Sequence, residues 1–259
     1  MIQSKRFSLA CVLGCASSLA LSIAPAQAAS FTADDVVSQC FSPSTSSFGP
    51  HTCANVNGFF TLTASTNPID PTSDNVLTQK KVGGITGIGV AQSGLSAINQ
   101  DPASGEISSN ETLQVLFKKA ATLSQLQLSF LYPPNTPENP AYGDLVFEAA
   151  IITAEGSALN GILTVTGKDS ANWSGADGTV ENLRVSSLGS AGLYAIYNPF
   201  GGNRIAGFNL TALAGANTGG GYSDFSLRSV SVPEPATLAG LGLVGLLAAS
   251  RRRSAKQAN

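Results

Sequence analysis

A single histidine, His51, sets the first limit on the chemistry open to this 259-residue chain. A Ser-His-Asp relay or a multi-histidine zinc site would have to be assembled around that one imidazole, which argues against most hydrolases and metalloenzymes. His51 stands two positions before Cys53, so an extended strand would present both side chains on one face, as a base beside a thiol nucleophile. Nothing nearby is suited to orient the imidazole. Of four cysteines, Cys11 and Cys15 fall inside an N-terminal apolar run, leaving Cys40 and Cys53. In an exported chain these two most simply form a disulfide, stabilising by roughly 3 kcal/mol in the loop-entropy description.

Glycosidase chemistry needs two carboxyl groups about 5 to 10 Å apart across the bond to be cleaved. Asp144 with Glu148, and Asp177 with Glu181, are the candidate pairs, although solvated strand and loop charges account for the same residues. Asp169, Asn172 and Asp177, and likewise Asp70, Asp74 and Asn75, make oxygen-rich stretches of the kind that hold Ca²⁺, without the spacing of an EF-hand loop. Structural loops are the simpler reading, so no cofactor is expected, with calcium as the one candidate. Trp173, between Asn172 and Ser174, is suited to stack on a sugar ring with Tyr194, Tyr197 or Tyr222 assisting, or else to pack in a core. The triplets at Asn110, Asn172 and Asn209 fit the N-glycosylation pattern by coincidence in a chain rich in Asn, Ser and Thr. Lys80-Lys81 and Lys118-Lys119 read as solvated turns or as guards against edge-to-edge strand pairing.

The elements that must carry these residues are strands. Charged residues make up only 12%, while Gly 27 and Pro 13 supply turns throughout. A helix bundle would need far more Glu, Lys, Arg and Leu at helical spacing. Between Ala29 and Pro235 the 16 acidic residues outnumber the basic ones (Lys80, Lys81, Lys118, Lys119, Lys168, Arg184, Arg204, Arg228) two to one, which argues against nucleic acid as a partner. Leu113, Val115 and Phe117 alternate with polar neighbours, as do Leu126, Leu128 and Phe130, and Phe225 and Leu227. That period of two marks half-buried strands. Phe59–Thr63, Ile85–Val90, Leu145–Ile152, Ile162–Thr166, Leu193–Tyr197 and Ile205–Leu210 are shorter candidates. About nine strands without a long helix predict an all-β fold, a β-sandwich of jelly-roll type.

Both ends carry export signals. Lys5 and Arg6 precede an apolar run from Phe7 to about Ile23, and Ala26-Gln27-Ala28 offers a small-x-small cleavage site. Residues 1–28 therefore read as a signal peptide. Val12-Leu13-Gly14-Cys15 resembles a lipoprotein box, but the apolar run continues past Cys15. At the other end Val232-Pro233-Glu234-Pro235 leads into an uncharged run, Ala236 to Ser250, closed by Arg251, Arg252 and Arg253. Fifteen helical residues cover about 22 Å, a marginal span of a bilayer core of about 30 Å. The arginines hold their side on the cytoplasmic face, so the polypeptide between the two ends must lie outside. Gly240, Gly242 and Gly245 satisfy G-x-G-x-x-G, but no strand precedes them, and close packing of a membrane helix explains them better than a dinucleotide.

Val232-Pro233-Glu234-Pro235, the Ala/Gly/Leu-rich apolar run and the arginine cluster together resemble the PEP-CTERM sorting signal of bacterial surface and exopolysaccharide-associated proteins. The resemblance covers about the last 28 residues. It implies an exosortase, a membrane-embedded transpeptidase, as partner and processing near the Pro-Glu-Pro motif. The run Ser108–Phe117 is more loosely similar to a strand of other PEP-CTERM ectodomains, and no binding role is carried over from it. The expected organisation is a signal peptide (1–28), a β-sandwich ectodomain (29–231), a sorting and anchor segment (232–253) with one short transmembrane helix, and a cytoplasmic tail (254–259). The expected function is that of a non-enzymatic surface or matrix protein that binds carbohydrate. A secreted carbohydrate-active enzyme bearing the same signal is the alternative.

Overall fold

The computed structural model describes residues 28–44, 46–70, 72–91, 105–108, 110–133, 147–186, 192–213 and 223–233. Its elements, in order, are β1 (Ala29–Thr32), α1 (Ala33–Cys40), β2 (Thr52–Val56), β3 (Phe60–Thr66), β4 (Val76–Val82), β5 (Ile85–Ala91), β6 (Glu111–Thr122) and β7 (Gln125–Ser129). They continue with β8 (Ala149–Ala154), β9 (Asn160–Gly167), β10 (Ser170–Trp173), β11 (Thr179–Arg184), β12 (Leu193–Tyr197), β13 (Arg204–Ala212) and β14 (Ser226–Val232). Two seven-stranded antiparallel sheets result. The first runs β11-β12-β7-β14-β5-β4, with β1 also beside β14, and the second runs β10-β9-β8-β13-β6-β3-β2.

Alternation decides which side chains meet between the sheets. Phe60 and Leu62 of β3, Leu113, Val115 and Phe117 of β6, and Phe208 and Leu210 of β13 share one buried cluster with Leu126 and Leu128 of β7, Tyr194 and Ile196 of β12, and Leu227 and Val230 of β14. A chain of edge-to-face rings links Phe31 to Phe60 (4.8 Å), Phe60 to Phe117 (5.6 Å) and Phe117 to Phe208 (6.0 Å), each worth about 0.5–1.5 kcal/mol beyond the area it buries. β6 pairs with β13 in the second sheet, and their successors β7 and β14 pair in the first. One pair of strands thus passes from sheet to sheet together and ties them into one core.

Helix α1 starts on a capping box: the Thr32 hydroxyl accepts the Asp35 N–H, and the Asp35 carboxylate accepts the Thr32 N–H at 2.7 Å. Ala33, Val36 and Val37 are its buried face. Its far end is fixed by the Cys40–Cys53 disulfide, with Cα atoms 5.7 Å apart, joining the helix to β2.

The outer face of the first sheet is covered over β4 and β5. Val90 donates to Glu106 O and Ile107 donates to Phe225 O, so the segment Gly105–Ile107 lies against β5 and bridges toward β14. A Cβ at Gly89 would collide with the backbone of Gly105 and Glu106, and one at Gly105 with the backbone of Lys80, so glycine is what permits this approach. Lys80 meets Glu106 at 2.5 Å and lies over the Phe130 ring, 5.2 Å from its centroid. Lys80 is therefore a strand residue engaged in a largely buried ion pair, not a turn residue in solvent. The free edge of β4 is paired as well: Gly49 donates to Leu77 O, Leu77 to Pro50 O and Gln79 to Ser47 O.

Candidate functional site

The sorting segment begins at the end of the last described strand. β14 pairs with β7 from Ser226 to Ser231 and with β1 at its end, where Ala29 faces Val232 in register. Ser124 holds the last turn of chain in place, its N–H and hydroxyl both donating to Ser231 O at 3.0 and 2.8 Å. Pro233 has no N–H to continue the ladder, which ends the strand there. Glu234, Pro235, the apolar run and Arg251 to Arg253 lie outside the described residues, as does the signal segment through Gln27. Among the described residues no helix is long and apolar enough to cross a membrane.

The other candidates are dispersed over the fold. Cys53 is bonded to Cys40, which removes the thiol-and-base reading of His51 and Cys53. His51 instead donates from Nδ1 to the Asn75 carbonyl at 2.7 Å, as a loop tie. Of the carboxylate pairs, Asp144 lies outside the described residues, and Glu148 is fully buried with its carboxylate accepting the Tyr132 N–H. Glu181 accepts the Tyr197 hydroxyl at 2.7 Å, and this bond, with some burial, raises the Tyr197 pKa. Asp177 sits beside Gly201, in the connection from β10 to β11. Asp70 accepts both the N–H and the hydroxyl of Thr72 at 2.8 and 2.7 Å, bonds that lower its pKa, while the buried Asn75 amide donates to Ser65 O at 3.0 Å. Among the described residues no group of three or more His, Cys, Asp or Glu is gathered as metal ligands.

Trp173 ends β10 half-buried against the core, its indole lying where Cβ atoms at Gly161, Gly175 and Gly178 would otherwise be. Across the sandwich, Tyr194 is fully buried. Burial, then the nearby Asp169 and Glu148 charges, pushes its pKa up to about 12.

Two features escape sequence reasoning. The Lys80–Glu106 pair joins residues far apart in the chain, with no motif to flag it. A row of neutral polar side chains on the outer face of the second sheet depends on register, which alternation alone does not reveal.

Residues 231–253 match the family model of the PEP-CTERM protein-sorting motif. No curated protein and no solved structure matches the chain. The matched signal implies export, processing by an exosortase and sorting to the cell envelope or surface. With a mostly β fold whose last strand reaches into that match, this chain carries a PEP-CTERM sorting signal at residues 231–253.

Proposed function

We propose that the described fold is the non-catalytic ectodomain of a cell-surface or exopolysaccharide-matrix protein, a jelly-roll-like β-sandwich delivered by its own sorting signal. The observation that carries this reading is the placement of the two ends. The first strand begins at Ala29, directly after the expected cleavage site, and the last ends at Val232, inside the matched signal. Both expected processing sites thus lie outside the strands of the described fold. The apolar run after Pro235 halts export, Arg251, Arg252 and Arg253 stay on the cytoplasmic side, and Pro233-Glu234-Pro235 presents an extended segment to the exosortase. Full burial of Glu148, and the Tyr197 hydroxyl held by Glu181, support a structural role for these carboxylates over glycosidase chemistry.

Replacing Pro233, Glu234 and Pro235 with alanine tests the reading. The unprocessed chain is expected to accumulate in the inner membrane, seen by immunoblotting of fractionated cells. Processing at the wild-type rate would overturn it.

A further inference from the structure

Strand register assembles a row of uncharged hydrogen-bonding side chains on the outer face of the second sheet. Asn160 of β9 faces Thr153 of β8, Thr153 faces Asn209 of β13, Asn209 faces Gln114 of β6, Gln114 faces Thr63 of β3, and Thr63 faces Thr52 of β2. At about 4.8 Å between strands the row is roughly 24 Å long. All six members are half-buried or exposed.

Their groups are already held in place. The Glu155 carboxylate accepts from Asn209 Nδ2 at 2.8 Å and from Gln114 Nε2 at 3.4 Å, fixing two neighbouring amides. Asn209 Oδ1 is buried and has no partner in the fold. The Thr52 and Thr63 hydroxyls lie 3.3 Å apart, and those of Thr112 and Thr211, in the adjoining row, 3.2 Å. Ile151 and Leu116, half-buried on the same face, add apolar area beside the polar row.

From this we infer that the outer face of the second sheet is a docking surface for an extended, neutral polysaccharide, an inference that deepens the matrix reading above and rests on it. Electrostatics select the polymer. The row contains no cation to attract an anionic chain, and acidic residues outnumber basic ones two to one across the exported portion, which repels anionic chains at longer range. A polymer of neutral hydroxyls meets both requirements. It donates to and accepts from the same amides and hydroxyls, and its C–H faces rest on the apolar neighbours. Pre-ordering of the amides by Glu155 lowers the entropy lost on binding.

The test is retention of the detergent-solubilised full-length protein on cellulose, cross-linked dextran and galactomannan, with alginate as the anionic control. At least one neutral polymer should retain the protein, with little dependence on salt. The triple variant Gln114→Ala, Thr153→Ala, Asn209→Ala should lose about tenfold or more in affinity, with Tm measured alongside. Thr153→Lys, which places bulk and charge on the row while leaving the bonds to Glu155 intact, should also lose binding. Gln127→Ala, on the outer face of the first sheet, should change nothing. Retention by none of the neutral polymers, preference for alginate, equal retention of the folded row variants, or self-association through this face would each overturn the inference. Sorting is read separately, by processing of the same variants. Correct processing without polymer retention would sink the docking face alone, whereas retention by a chain processed without its Pro-Glu-Pro motif would sink the sorting reading alone.

Discussion

The two outer faces of the sandwich have been finished in opposite ways. On the first sheet, Gly105–Ile107 lies over strands whose glycines admit it, Glu106 is 2% exposed against Lys80, and a further segment pairs with the edge of β4. On the second sheet the outward row is polar and uncharged, and Glu155 is spent on its neighbours. A covered face contributes to stability. A face whose polar row stays partly exposed is the one on which the proposed docking rests. The difference places the buried contacts that hold the domain together on one sheet and the proposed docking face on the other.

Glu106→Ala should break this division most strongly, since it strands Lys80 in a largely buried position. We expect a loss of about 3 kcal/mol, at the low end for a buried pair because Lys80 keeps some access to water, measured by urea unfolding. Gly89→Val pushes a side chain into the backbone of the overlying segment and should cost about 1–3 kcal/mol by the same assay, with faster hydrogen exchange at Val90 and Ile107.

The interior shared by both sheets sets an alkaline limit. Because the folded-state pKa of Tyr194 is raised to about 12, its contribution is fully present below pH 10 and is lost as the pH rises through 12. Both sheets should therefore loosen together in that window, with tyrosinate absorbance and circular dichroism changing at the same pH. At the small end, Thr153→Val on the open face should shift stability by no more than about 0.5 kcal/mol. A large loss there would mean that the second sheet's outer face is structural after all.

How much of this was legible in the sequence follows from position in the sheet. All nine expected strands are present, with shifted bounds such as Ala149–Ala154 where Leu145–Ile152 was expected. The unforeseen strands are β1 and the four that end the sheets: β2, β4, β10 and β11. An end strand has one strand neighbour in its sheet, even where, as at β4, a non-strand segment pairs with its other edge, and it covers only the rim of the core, so its inward positions tolerate residues that hide the alternation. β11 directs Asn182 to the same side as Val180 and is bulged before Arg184, β4 carries a lysine pair next to its last residue, and β2 is bulged, with Asn55 at φ 59°. β10 has only four residues. The sorting signal was fully legible because its chemistry is local: motif, apolar run and cations are contiguous. The polar row was not, because six strands drawn from across the chain must register before Thr52 and Asn160 belong to one surface.

The pairing of Ala29 with Val232 also has a mechanical consequence. If this domain is held at its C-terminal end, tension between the two termini would peel β1 from β14 one hydrogen bond at a time, a weak geometry. A pull along the length of β14 would instead load its pairing with β7 in shear, so that several bonds resist together. A domain moored at Val232 would therefore resist traction along β14 better than separation of its two ends.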